Sequence, residues 1–244
     1  MPILLVENQE LIKTINFNSP VYIGDLLNSV KIYNELQVDE LCILDKSARK
    51  NGINFNMIQE FANESFSPLS YGGGINELSS IEKLLRVGVE KVVIGSEAFN
   101  NEFIRSAICN FGSSTISICI DYKNIKNKNQ VFTNNGQKNM NIEIITFIEQ
   151  LESLQIGEII IQSIDRDGTF QGYDLVLLDE ITNKFNNPIV ISGGCRDLNN
   201  IYEAFDIDAS GAAAGSLFVY YTNTKGILLN YPTSKEFIEN RINR

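Results

Sequence analysis

Five residues recur at one fixed spacing. Gly73 and Gly74 in Y-G-G-G-I return as Gly193 and Gly194 in S-G-G-C. Gly95 and Ser96 in V-I-G-S return as Gly215 and Ser216 in A-A-G-S, and Asp45 in C-I-L-D-K returns as Asp165 in Q-S-I-D-R, always 120 positions later. Self-similarity at a constant offset is the mark of a duplicated structural unit. A single glycine after a strand explains itself as a turn residue. A set that keeps its offset at three separate places divides the chain into two similar halves.

Each recurring residue follows a short apolar run. The runs are Ile3 to Val6, Leu41 to Leu44, Pro68 to Tyr71, Lys91 to Ile94, Thr115 to Ile120, Glu158 to Gln162, Pro188 to Ser192 and Ser210 to Gly215. Nearly continuous, β-branched runs are what parallel strands buried on both faces require. Between them lie helical patterns: Ser79 to Val87 carries Ile81, Leu84 and Leu85 on one face, and Ile142 to Leu154 carries Ile145, Ile148 and Leu151. Asp25, Asn100 and Asp197 stand where helix N-caps belong. Length alone leaves one large unit or two small ones open. Strand–helix alternation repeated eight times, with the duplication, predicts an α/β fold: a single (βα)8 TIM barrel over 1–244 with a twofold (βα)4 repeat. The halves fall at about 1–112 and 113–232, followed by a C-terminal helix over 233–244.

Several function classes drop out. A net charge of -10 gives no basic stripe for a nucleic-acid backbone. No apolar run approaches the ~18 residues of a membrane span, and Met1 to Val6 is too short for a secretory signal, so the chain reads as cytoplasmic. Cys42, Cys109, Cys119 and Cys195 sit singly, without a metal pair or a disulfide framework. Histidine is absent, which removes Ser-His and Cys-His nucleophile pairs and the commonest zinc ligand. No metal site and no cofactor is expected, and acid–base chemistry falls to Asp, Glu, Lys, Cys or Tyr.

In a closed parallel barrel the C-terminal strand ends open on one face, and chemistry sits there. Small residues at those ends let backbone N–H groups approach a bound anion. The repeat therefore predicts two phosphate-type sites facing each other across the mouth: Gly74, Gly95 and Ser96 at the third and fourth strands, and Gly194, Gly215 and Ser216 at the seventh and eighth, with Gly168 beside the second. A phosphorylated small molecule with a phosphate at each end would span them.

Acids stand between the two. Asp121 closes S-I-C-I-D at the fifth strand, where a carboxylate is well placed as a general base; a loop cap or a salt bridge to Lys123 or Arg166 is its structural alternative. Asp165 and Asp167 follow the sixth strand in S-I-D-R-D-G-T, Asp167 facing the ligand and Asp165 sharing either a site role or a structural one with Asp45. The calcium-loop reading of D-R-D-G fails because the remaining ligands of that pattern do not follow. Lys13 lies on the first strand–helix connection, either over the mouth as a counter-charge or solvated at the surface. The 13–24 segment is long enough for a mobile lid.

Y-G-G-G-I, V-E-K-V-V-I, I-D-Y-K, I-G-E-I-I-I-Q-S-I-D-R-D-G-T, I-S-G-G and A-A-G-S-L-F together resemble the cyclase subunit of imidazole glycerol phosphate synthase, from about Ile3 to Phe218. The resemblance implies that Asp121 is a catalytic acid–base carboxylate. It implies phosphate contacts at Gly74, Ser96, Gly168, Gly194 and Ser216, with Asp167 lining the site and Lys13 on the substrate loop. It also implies a glutaminase subunit docked on the opposite face, passing ammonia through the barrel. Glu40, Lys91 and Glu158 match the ammonia gate, whose arginine has no counterpart here, and Glu90 matches an acidic residue facing the glutaminase.

Two departures bear on the chemistry. The family's second catalytic aspartate, at the end of the first strand, is replaced by Leu5 in I-L-L-V-E; Glu7 is roughly 6 to 7 Å further along the same face. Gly95 replaces the family's asparagine. The stretches E-L-I-K-T-I-N-F, Y-I-G-D-L-L-N-S-V-K-I-Y-N and G-S-L-F-V-Y resemble a branch tied to bacterial surface-sugar pathways, in which ammonia serves amidino groups on nonulosonic or uronic sugars. Three readings stand: the ammonia-accepting barrel of an amidotransferase for surface sugars, a histidine-pathway cyclase, and a non-catalytic or isomerase-like phosphosugar-binding barrel.

Overall fold

The computed structural model describes residues 1–221 and 226–242. Its first half runs β1 (Ile3–Glu7), β2 (Glu10–Ile15), β3 (Asn18–Asp25), α1 (Leu26–Glu35), β4 (Leu41–Asp45), α2 (Ala48–Asn51), α3 (Phe55–Glu64), β5 (Leu69–Gly72), α4 (Leu78–Arg86), β6 (Lys91–Ile94) and α5 (Asn101–Phe111). The second repeats the plan with β7 (Ile116–Ile125), β8 (Lys128–Thr133), β9 (Lys138–Glu143), α6 (Ile144–Glu152), β10 (Glu158–Ser163), α7 (Leu175–Lys184), β11 (Ile189–Ser192), α8 (Leu198–Phe205), β12 (Gly211–Ala213) and α9 (Ser216–Val219). A final helix, α10 (Ser234–Ile242), packs on α8, with the Tyr202 hydroxyl donating to the Phe237 carbonyl at 2.6 Å. The last two residues of the helix expected over 233–244 lie outside the described residues.

Strands β1, β4, β5, β6, β7, β10, β11 and β12 pair side by side in parallel. A parallel bridge from Pro2 to Ala214 closes the ring, and the Ile3 N–H donates to the Ala214 carbonyl at 2.9 Å. This is the (βα)8 barrel that the alternation predicts. No described helix is long and apolar enough to cross a membrane.

Period-two alternation along each strand makes two separate apolar layers. Ile3, Cys42, Val93, Ile160, Val190 and Ala213, on six different barrel strands, form a small cluster inside the ring. Their neighbours Leu4, Ile43, Ile94 and Ile161 face outward into the larger core under the helices. Asp25, Asn100 and Asp197 cap α1, α5 and α8 by accepting the N–H groups of Asn28, Phe103 and Asn200.

Both halves insert a β-hairpin after their first barrel strand, and this corrects the sequence reading in three places. The 13–24 segment is not an open lid loop but most of the β2–β3 hairpin, with Lys13 paired to Val21 inside it. Asp121 does not end its strand, because β7 continues to Ile125 against β8. Ile142 belongs to β9, and the helix starts at Ile144. Apolar spacing at 142–154 fits a helix of either length, so periodicity alone does not locate the boundary.

Candidate functional site

The mouth cavity at the C-terminal strand ends is lined by Leu5, Lys13, Asp121, Asp167, Gly215 and Ser216, among others. Asp121 sits on its wall, and the Cys119 thiol lies 3.8 Å from its Oδ1. Burial pushes the Asp121 carboxyl up to about 7, against the hydrogen bond from Cys119, and the charge of Asp167 adds to the rise. A carboxyl that exchanges its proton near neutrality is suited to general acid–base work. Leu5 contributes only a hydrocarbon to the same cavity. Glu7 is no substitute acid, because its carboxylate is held by Lys46 at 3.0 Å.

Lys13 is not a surface residue. It is 5% exposed, on β2, and its stem runs back across β1 so that Nζ comes within 1.9 Å of where a Cβ on residue 215 would stand. The bare Cα of Gly215 is what admits the ammonium. Burial lowers the Lys13 pKa, and Asp167 opposes that from a distance.

The glycines of the repeat divide into two kinds. Gly73 and Gly193 have φ of +131° and +96°, and a Cβ on either would strike the backbone oxygen of Asp45 or Ser163. Gly74 rests against Ala48, Gly194 against Gly172, and Gly168 against the Thr14 carbonyl, all at positive φ. These five are held by packing of one strand-end loop on the next. Gly95 and Gly215 have ordinary negative φ and border the cavity, so they need no side chain for a different reason. Of the expected phosphate residues, Gly95, Gly168, Gly194, Gly215 and Ser216 line the mouth, whereas Gly74 and Ser96 do not.

The hairpins cross the mouth and grip the opposite half. Asn16 donates its backbone N–H to the Asp167 carbonyl and its side-chain amide to the carbonyls of Ile164 and Asp165. The β8–β9 tip does the corresponding thing: Asn135 donates its side-chain amide to the Lys46 carbonyl and Asn134 its backbone N–H to the Ser96 hydroxyl. Asp165 accepts the Asn124 N–H of β7 at 2.7 Å, whereas Asp45 accepts the Ser47 and Ala48 N–H groups of its own loop. Both carboxylates hold backbone, but the bonds they make are not the same in the two halves. Sequence reading overlooked both hairpins, although N-N-G between two alternating stretches is a turn signal.

At the N-terminal face Lys91 stands between two acids. Its Nζ is 3.3 Å from Glu40 Oε2 and 3.3 Å from Glu158 Oε2. Ser70 donates to Glu40 at 2.6 Å and Ser117 to Glu158 at 2.9 Å, so one polar chain crosses the barrel's floor. Burial alone would lower the Lys91 pKa, but Glu158 and Glu40 outweigh it and raise it. The serines went unnoticed in the sequence, where a lone polar residue inside an apolar run was their only signal. Glu90, exposed beside Lys91, donates its backbone N–H to the Leu69 carbonyl at 2.8 Å.

The fold and site define a duplicated (βα)8 barrel with an acid and a largely buried lysine at its mouth and an ion-paired floor. Residues 1–225 match the family described as histidine biosynthesis protein. A Leptospira borgpetersenii protein, provisionally named imidazole glycerol phosphate synthase subunit HisF, is 39% identical over 97% of this chain and 96% of its own length. The imidazole glycerol phosphate synthase subunit HisF of Hydrogenobaculum is 36% identical over 89% of this chain and 88% of its own. The chain belongs to this family, as a HisF-like cyclase subunit of the imidazole glycerol phosphate synthase type.

Proposed function

We propose that the chain is the ammonia-accepting barrel of a glutamine amidotransferase, fed by a glutaminase subunit and serving amidination of a bacterial surface sugar. The observation that carries this reading is the Glu40–Lys91–Glu158 chain across the floor, at the opposite end of the barrel from Asp121. A barrel floor needs only apolar residues or simple caps for stability. Charges kept in place by two serines suit a polar entrance that a docked partner can rearrange. Glu90, exposed at the rim of the floor, is the contact proposed for the glutaminase. Ammonia delivered internally stays unprotonated, as it would not in bulk water.

At the mouth, Asp121 serves as the acid–base group, with Lys13 and Asp167 toward a phosphorylated small molecule. Gly168, Gly194, Gly215 and Ser216 border its phosphate, and Gly74, Gly95 and Ser96 mark the half where its other end lies. Leu5 in place of an acid favours amidination over ring closure, since closure relies on a pair of acids. The kinship with the Hydrogenobaculum synthase subunit supports a second reading, a histidine-pathway cyclase.

The test is to mix the purified chain with the glutaminase encoded beside it. Glutamine hydrolysis should rise, and Glu90→Lys should weaken the response. If sedimentation detects no association and the glutaminase rate does not change, the ammonia reading gives way to a free-standing phosphosugar barrel. Neighbouring genes for sugar-nucleotide enzymes support the first reading, and histidine genes the second.

A further inference from the structure

We propose that the mouth takes a ligand with one phosphate, seated against Lys13, Gly215 and Ser216, and that the duplicated place at Gly74, Gly95 and Ser96 takes none. This rests on the reading that the mouth binds a phosphorylated small molecule. It narrows that ligand to phosphomonoesters bearing a single phosphate.

Duplication gave both halves the same Gly-Ser pair, yet the two pairs keep different company. Ser216 borders the cavity, and its hydroxyl makes no hydrogen bond to the described residues. Beside it Lys13, a residue only 5% exposed, borders the same cavity, and its ammonium makes no ion pair or hydrogen bond among the described residues. A cation on a largely buried side chain with only the distant Asp167 to balance it favours a bound anion. A phosphate in reach supplies the missing counter-charge, and Ser216 supplies a further donor.

In the first half the serine hydroxyl is already engaged. The Ser96 hydroxyl accepts the Asn134 N–H at 3.1 Å and lies 3.4 Å from Asn134 Oδ1, and Gly74 is packed on Ala48 away from the cavity. The residue that the repeat places opposite Lys13 is Thr133, neutral, with its hydroxyl toward the Met140 sulfur. The cations near this half are engaged as well: Arg49 holds the Asn134 side-chain oxygen, and Lys46 holds Glu7. What remains open there is the space over Gly95, where hydroxyl or carbonyl groups of a sugar fit without a counter-charge.

The two cavity-facing glycines supply the test. Both have negative φ, Gly215 within the right-handed helical region at φ -101° and ψ -65° and Gly95 just beyond its edge at φ -102° and ψ -93°. A Cβ at residue 215 meets Lys13 Nζ at 1.9 Å, whereas at residue 95 the nearest atom is the Cys119 carbonyl oxygen at 4.0 Å. Inorganic phosphate is titrated into the full chain by calorimetry, with circular dichroism confirming that each variant is folded. One phosphate per chain is expected, with affinity reduced at least ~tenfold by Gly215→Ala and by Lys13→Met but held within ~twofold by Gly95→Ala.

Ribose 5-phosphate should bind within ~threefold of ribulose 1,5-bisphosphate, because a second charge finds no partner. Two phosphates per chain, equal losses from the two alanines, a bisphosphate ~hundredfold tighter, or no phosphate binding at all would each overturn the proposal. None of these outcomes touches the glutaminase reading, which sedimentation decides separately.

Discussion

Thr14 donates its hydroxyl to the Asp167 carboxylate at 2.7 Å, joining residues 153 positions apart across the mouth. The contact pins the hairpin of one half to the strand-end loop of the other, and Gly168 lets the two backbones close. With φ of +70° and a Cβ position 2.1 Å from the Thr14 carbonyl oxygen, residue 168 has no room for alanine. Gly168→Ala should cost about 2 to 3 kcal/mol, and Thr14→Val about 1 to 2, as judged from urea unfolding. An unchanged midpoint in Gly168→Ala would show that the hairpin does not bear on the loop.

Asp121 should make stability depend on pH in the unusual direction for a carboxylate. Burial raises its folded pKa from 3.8 to about 7, so between those values the unfolded chain gives up a proton that the folded chain keeps. Stability from this group is therefore lost as pH rises through that window and stays lost above it. Asp121→Asn removes the dependence. Its melting temperature relative to the parent should be higher at pH 8 than at pH 5, and an equal difference at both would contradict the assignment.

Removing the cation from the floor leaves Glu40 and Glu158 facing one another. Because the three side chains retain 30%, 21% and 19% of their exposure, the cost of Lys91→Met should be modest, about 1 to 2 kcal/mol. Adding Glu158→Gln should restore part of it. A double-mutant cycle by denaturant titration reads the coupling, and additive losses would mean that the residues act independently.

On the proposed reading, the chain should not convert the histidine-pathway bisphosphate with ammonium salts at a rate near that of a competent cyclase, since Leu5 brings only a hydrocarbon to the cavity where ring closure would need an acid beside Asp121. Removing one member of an acid–base pair typically costs ~100-fold or more. Comparable turnover in a steady-state assay would return the chain to the cyclase reading. A gain of turnover in Leu5→Asp would locate the defect at that residue.

Much of this molecule is written in short-range pattern. Apolar runs located all eight barrel strands, the caps at Asp25, Asn100 and Asp197 marked helix starts, and the offset between Gly95 and Gly215 exposed the duplication. These features are legible because burial on both faces and N-cap hydrogen bonding act over a few residues, and duplication leaves the same residues twice. The sequence also placed Glu40, Lys91 and Glu158 at strand starts, from which a closed ring brings them together.

The tertiary structure alone decided which of the duplicated donors stay open. Ser96 and Ser216 each follow a glycine at a strand end, but Asn134, 38 residues from Ser96, reaches over to take one hydroxyl and leaves the other facing the cavity. Lys13 likewise stands open between surface and mouth in the sequence until β2 pairs with β1 and Gly215, 202 positions away, makes room for its ammonium. No local periodicity encodes such contacts, because they depend on where two hairpins land after the ring has closed.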